Sequence, residues 1–100
     1  MNSQPLSENA VLDALRQVID PELGMSIVDL GLIYDVAIVD SRVNVTMTLT
    51  SAGCPMGESI RSGAEIALMN LDGVTDAHVE LVFDPPWHPA MIIATGQLRM

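Results

Sequence analysis

The stretch from residue 42 to residue 50 constrains the fold most, because its side chains alternate between apolar and polar. Four apolar residues interleave with four polar ones: Val43, Val45, Met47 and Leu49 with Asn44, Thr46, Thr48 and Thr50. Successive side chains of a strand point to opposite faces of a sheet, so the pattern predicts a strand with one face on a core and one in solvent. A hairpin around Asp40 and Ser41 joins it to a predicted strand over residues 33–39.

Two segments have the spacing of amphipathic helices. Residues 7–19 begin at an N-cap candidate, Ser7, and carry one apolar stripe: Val11, Leu12, Leu15, Val18 and Ile19. Since a residue before proline is disfavoured in the α conformation, we expect this helix to end at Asp20. The second helix is expected to begin at Cys54 and Pro55, because proline lacks only an N–H that has no partner in the first helical turn. Gly73 is its expected stop.

Residues 74–83 alternate again and predict a third strand. The order helix, hairpin, helix, strand predicts an α+β fold, a small two-layer sandwich in which a three-stranded mixed sheet has helices packed on one face. A right-handed crossover through the second helix makes its flanking strands parallel, while the strand order stays open. Residues 27–32 fit a helical turn and an extended stretch equally well. With 100 residues, we expect a single domain over 1–100, with residues 1–6 flexible.

Charge excludes several classes of partner. Formal net charge is −9, from 13 acidic residues against four arginines and no lysine. Because nucleic-acid affinity depends on neutralising phosphates, we expect no nucleic-acid binding, and the same repulsion argues against anionic membrane surfaces. No apolar run approaches the roughly 18–20 residues of a membrane span, and the first residues do not resemble a signal peptide. These features favour a cytoplasmic protein.

Cys54 is the only cysteine, so one chain can form neither an internal disulfide nor a CxxC redox pair. A lone cysteine is often a small buried apolar residue. The predicted helix start favours a functional thiol instead, because unpaired N–H groups and the helix dipole stabilise a thiolate. Nearby carboxylates act in the opposite direction. Both interpretations stay open on the residues alone.

Other polar residues lie near Cys54 or in turns. Asp20 and Glu22 flank Pro21, where paired carboxylates could act as acid and base or bind a metal, although Asp-Pro-Glu is also an ordinary helix stop. Thr50 and Ser51 could cap the Cys54 helix or bind a ligand.

Four further residues have predicted environments. Asp29 lies in an apolar stretch and suits a capping role, and His78 is expected in solvent. Trp87 is expected to cover one end of the core. His88 could approach a metal, but one histidine makes a weak site.

Four sequence blocks, taken together, resemble the metal–sulfur cluster assembly family (the SufT/PaaD-like domain). They are residues 20–23 (DPEL), 28–34 (VDLGLIY), 48–55 (TLTSAGCP) and 81–87 (LVFDPPW). The resemblance covers about residues 8–91, and the domain is similar to the front part of some Mrp/ApbC-type carriers. One block is weak evidence; four in order are specific. The tail over 88–100 is atypical, because relatives continue with a longer polar helix where this chain has an apolar stretch that is either docked or used in dimerisation.

The resemblance implies a non-catalytic factor in iron–sulfur cluster assembly, transfer or targeting that acts through Cys54. It places Asp20, Glu22, Thr50 and Ser51 near that cysteine. The implied partners are client apo-proteins or cluster-assembly proteins.

The ligand count limits this role. A cluster normally takes four protein ligands, mostly thiolates, so a monomer with one cysteine cannot hold one tightly. Cys54 would be a transient cluster ligand, with a second thiolate from a homodimer or others from a client. Two alternatives stay open: a PaaD-like accessory maturation subunit of a multicomponent oxygenase, and a thiol enzyme with Cys54 as nucleophile and Asp20 or Glu22 as base.

Overall fold

The computed structural model describes residues 6–50 and 57–92. Along these ranges lie two helices, five strands and one 3₁₀ turn. In chain order they are α1 (Glu8–Leu15), β1 (Ile19–Asp20), β2 (Met25–Ser26), β3 (Ile33–Val39), β4 (Arg42–Met47), α2 (Gly57–Met69), β5 (Asp76–Leu81) and the 3₁₀ turn Pro89–Met91. Neither described helix is long and apolar enough to cross a membrane.

The main sheet has the order β3-β4-β5. Strands β3 and β4 pair antiparallel through the predicted hairpin, in which Asp40 has a φ of 55°. Strands β4 and β5 pair parallel, with Val45 opposite Val79. Helix α2 packs on β5, and α1 contacts both α2 and β3. The predicted α+β architecture and the parallel crossover are confirmed, and the strand order that the pattern left open has β4 at the centre.

The core lies between the helices and one face of this sheet. Its buried apolar residues come from the helices, the sheet and the segment before β3: Val11, Leu15, Ile27, Val28, Leu30, Leu32, Val43, Val45, Met47, Leu49, Ile60, Ala64, Leu68 and Val79. On the opposite face of the sheet, Asn44 and His78 are exposed. The alternation therefore predicted the core face of β4, and His78 lies in solvent as expected.

The first helix is shorter than predicted. Helix α1 ends at Leu15 with Arg16 as its C-cap, whereas the prediction extended it to residue 19. Ile19 and Asp20 instead form β1, which pairs antiparallel with Met25 and Ser26. This pairing requires extended backbone before Pro21, so the helix has to end earlier than the proline alone dictates. Ile19 consequently leaves the apolar stripe and is 50% exposed.

The segment from Ser26 to Leu32 is a helical turn, which settles the alternative that the sequence left open. Ser26 Oγ accepts a 3.0 Å hydrogen bond from the Asp29 N–H, so Ser26 caps this turn, and the capping role of the Asp29 side chain stays a prediction. The amide of Leu32 donates to the Ile27 carbonyl and that of Gly31 to the Val28 carbonyl, each at 3.0 Å. With Gly31 at a φ of 77°, this is a Schellman ending. We call residues 26–32 the Ser26 turn.

Candidate functional site

Asp20 is a buried acid in a tight turn. It is only 1% exposed, and its Oδ1 accepts a 2.8 Å hydrogen bond from the Glu22 N–H. Its backbone carbonyl accepts from the amides of Leu23 at 3.3 Å and Gly24 at 2.8 Å. A buried carboxylate needs such donors, and the bond to an amide two residues on is the Asx pattern of turn formation. We call residues 20–24 the Asp20 turn.

Glu22 shares this turn but not its environment, because its side chain is exposed. The structure therefore brings the two predicted acids together in one turn, with one carboxylate bonded to backbone and the other in solvent. The alternative that Asp-Pro-Glu serves as a helix stop is wrong, since α1 already ends at Leu15.

Thr50 lies three residues beyond the end of β4 and is half-buried. The backbone that leads to it is fixed on two sides. The Thr48 amide donates to the Leu32 carbonyl at 2.9 Å, and the Val82 amide donates to the Met47 carbonyl at 2.8 Å. Ser51 and Cys54, the other two predicted site residues on this segment, belong to residues 51–56, which lie outside the described residues.

Thr48 is a polar residue at the same strand end that the alternation pattern misassigned. The pattern placed it on the solvent face, but it is 0% exposed, and its Oγ1 has no hydrogen-bond partner within the described ranges. Leu49 beside it is also buried, so the alternation ends with β4 at Met47. The Ser26 turn is joined to this strand end, because Leu32 accepts the Thr48 amide. The residue pattern of a single strand carries no information about such a contact with another segment.

The second described range begins at Gly57, the first residue of α2. Gly57 is buried, and a Cβ built on it would lie 2.7 Å from Leu49 Cδ1. Glycine therefore permits the close approach of α2 to the strand end, because any larger residue would displace Leu49. The two described ends of the segment that carries Cys54 thus pack next to each other.

The segment after β5 crosses back over the Ser26 turn. Trp87 Nε1 donates to the Leu30 carbonyl at 2.6 Å, and the Tyr34 hydroxyl donates to the Pro85 carbonyl at 2.8 Å. Trp87 is partly buried against the core, which confirms its predicted covering role. The third strand was predicted to reach residue 83, but β5 ends at Leu81 and Phe83 is 44% exposed.

The described residues of the four sequence blocks thus meet in one hydrogen-bonded framework. The Asp20 turn leads through the β1–β2 ladder to Ser26. The Ser26 turn accepts Trp87 at Leu30 and the end of β4 at Leu32. The hydrogen bond from the Thr48 amide to the Leu32 carbonyl joins the Ser26 turn to the strand end that leads to Thr50.

Helix α2 carries a network of charged side chains around Arg61. Arg61 on α2 pairs with Glu58 at 2.8 Å and Glu65 at 2.9 Å. The hydrogen bond and charge of Glu58, followed by the charge of Glu65, raise the pKa of Arg61 above its ordinary value. Glu65 also accepts the Val79 N–H at 3.0 Å, which satisfies a donor on the edge strand β5. This cluster is a structural network.

His88 has a structural role. It is exposed, and its Nδ1 accepts a 3.1 Å hydrogen bond from the Ala90 N–H, so it caps the 3₁₀ turn. Within residues 6–50 and 57–92, no group of three or more His, Cys, Asp or Glu side chains could hold a metal ion. The weak metal role considered for His88 therefore gains no support.

The sequence of this chain is similar to those of known proteins. The model of the family described as "Iron-sulfur cluster assembly protein" matches residues 8–81. The chain is 47% identical over 84 residues to the Fe-S protein maturation auxiliary factor SufT of Staphylococcus aureus, covering 83% of this chain and 96% of that protein. It is also 42% identical over 81 residues to an iron-sulfur cluster carrier protein of Synechocystis, covering 81% of this chain but 23% of the carrier.

A solved structure shares the fold. A conserved hypothetical protein of Thermotoga maritima superposes with a TM-score of 0.83 at 44% identity, over 94% of this chain and 92% of that one. The fold, the family model and the relatives agree with the resemblance carried by the four sequence blocks. The chain belongs to the iron–sulfur cluster assembly protein family.

Proposed function

We propose that this protein is a non-catalytic factor of iron–sulfur cluster assembly that transfers or targets clusters through Cys54. The observation that carries the proposal is the framework of the four blocks, which fixes the chain up to Thr50, four residues before its only cysteine. The auxiliary factor and the cluster carrier among its relatives support the same role.

The chemistry we propose is ligand exchange. The thiolate of Cys54 takes one coordination position of a cluster, which is the cargo, and a cysteine of the client then displaces it. No general base is needed, because each step substitutes one ligand for another. Since a cluster normally takes four protein ligands, one chain holds the cargo only with ligands from a second copy or from a partner.

Asp20, Glu22, Thr50 and Ser51 complete the proposed site. Glu22 is exposed and its carboxylate can contact a partner or the cargo, whereas Asp20 shapes the turn that presents it. The partners we propose are client apo-proteins or cluster-assembly proteins. We propose a cytoplasmic location, where thiols stay reduced.

The test is a transfer experiment under anaerobic conditions. Reconstituted protein is mixed with an apo-ferredoxin, and the rate of cluster gain is followed by absorbance against the concentration of added protein. Cys54→Ala should abolish the gain, while Ser59→Ala, a matched change at an exposed position of α2, should leave it unchanged. Full transfer by Cys54→Ala would refute the role of the thiol.

Two further readouts separate the alternatives. Repeated turnover of a thioester or disulfide substrate would replace the hand-over function with a thiol enzyme. Native mass spectrometry of the reconstituted protein should show cluster on dimers or on complexes with the client. A stable cluster on a monomer would contradict the ligand argument.

A further inference from the structure

We infer that residues 84–92, which we call the strap, position the sequence block over residues 48–55 that contains Cys54. Gly31 and Tyr34 are the positioning residues that hold the strap in place. The inference rests on the proposed function, because its consequence is measured at the thiol. It goes beyond that function in naming which described residues set how well the thiol works.

Gly31 marks where the strap is seated most tightly. A Cβ built on Gly31 would overlap the carbonyl oxygen of Met91 and would lie 2.9 Å from the Met91 carbonyl carbon. The φ of Gly31 is 77°, so a side chain there is disfavoured by the backbone conformation as well. The backbone of the 3₁₀ turn therefore rests directly on the Ser26 turn.

Polar bonds hold the strap at two further points. Trp87 Nε1 donates to the Leu30 carbonyl at 2.6 Å. The Tyr34 hydroxyl lies 2.8 Å from the Pro85 carbonyl and 3.7 Å from the Met91 sulfur. The strap thus contacts the chain just before and just after Leu32. This docking places Pro89–Met91 against the fold, which favours the docked alternative for the start of the atypical tail; residues 93–100 lie outside the described residues.

The Ser26 turn passes this constraint to the end of β4. Leu32 accepts the Thr48 N–H at 2.9 Å, and Thr48 begins the sequence block that contains Cys54. A displaced strap shifts Leu30 and Gly31, and Leu32 then shifts the backbone that leads to Thr50. Because a site works only when its supporting residues hold it within a fraction of an ångström, such a shift lowers the rate without unfolding the protein.

The experiment uses two glycines with similar backbone strain. Gly31→Ala introduces both a positive-φ side chain and the overlap with Met91. Gly73→Ala introduces the positive φ alone, since Gly73 has a φ of 92° and its nearest neighbour would be Leu6 at an ordinary 3.6 Å. Three quantities are measured: fluorescence of the only tryptophan, Trp87, the pH profile of Cys54 alkylation by iodoacetamide, and the rate of cluster transfer.

For Gly31→Ala we expect a red-shifted Trp87 emission, an altered alkylation profile and a transfer rate lower by roughly tenfold. Gly73→Ala should match the wild type in all three. Equal losses in both glycine variants would overturn the inference, as would a shifted emission with unchanged alkylation and transfer, because the strap would then be merely structural. If Gly31→Ala does not fold, Tyr34→Phe, which keeps Trp87 and removes only the hydroxyl, is judged by the same outcomes.

The two proposals fail in different ways. Transfer that survives Cys54→Ala refutes the role of the thiol whatever the strap does. An alkylation profile and an emission that do not respond to Gly31→Ala refute the strap even when Cys54 proves essential.

Discussion

Replacing Thr48 by valine should stabilise the protein. Thr48 is 0% exposed and its hydroxyl has no partner among the described residues, so folding removes that hydroxyl from water without compensation. Such a loss costs about 1–3 kcal/mol, and valine has nearly the same shape. We expect Thr48→Val to raise the free energy of unfolding by about 1–2 kcal/mol. For a domain of this size that corresponds to a melting temperature higher by roughly 5–15 °C.

The assay is urea unfolding followed by circular dichroism, with Thr46→Val as the matched control. Thr46 lies two residues earlier, within β4, and is only half-buried. Both changes replace a threonine hydroxyl by a methyl group and keep the branch at Cβ, so the difference between them isolates the cost of burying the hydroxyl. A Thr48→Val variant that is less stable than the wild type, or gains no more than Thr46→Val, would refute the reasoning. Higher stability with slower cluster transfer would show that the hydroxyl serves function.

Three further predictions concern the turns and the charged network. Asp20→Ala should lower the free energy of unfolding by about 1–2 kcal/mol, because it removes the acceptor of a backbone amide. Glu22→Ala, at an exposed position, should change it by less than about 0.5 kcal/mol. Thermal melts of both variants test this difference. Trp87→Phe should cost about 1 kcal/mol in urea unfolding, since a carbonyl of the Ser26 turn loses its donor. Glu58 helps to raise the pKa of Arg61, so their ion pair stabilises the folded protein fully below the ordinary arginine pKa and loses this effect only above it. The loss of stability caused by Arg61→Gln should therefore be equal at about pH 6 and about pH 9.

Most of the fold was predictable because the main sheet follows local rules. The alternation in β4 and the turn residues at Asp40 and Ser41 specify which side chains meet the core. The boundary of α1 was not predictable in the same way. Val18 and Ile19 continue the helical stripe in sequence, but Val18 accepts the Ile27 amide and Ile19 pairs with Ser26. Pairings with residues seven to nine positions ahead decide the local conformation there, and helical periodicity carries no information about them.

The site was predictable in part. The acids of the Asp20 turn do lie together, and the Trp87 side chain does cover part of the core. The contact of Trp87 with Leu30 joins residues 57 positions apart in sequence, and no local pattern encodes it. Gly31 does carry a local signal, because a glycine inside an apolar block often marks close backbone approach, and Gly31 meets the Met91 backbone in this way. The positions predicted for Ser51 and Cys54 lie outside the described residues and stay predictions.

The possible cluster ligands among the described residues are consistent with the proposal that this protein hands a cluster over rather than stores it. The Asp20 carboxylate already accepts a backbone amide, and the His88 Nδ1 caps the 3₁₀ turn, so two residues that could supplement a thiolate are partly committed to structure. Glu22 remains as an exposed acid in the Asp20 turn. One thiolate and one exposed carboxylate fall short of the four ligands that a cluster normally takes. Under the proposed function, a cluster on this chain would therefore depend on ligands from another molecule, and the client cysteines that complete its coordination would also be the groups that remove it.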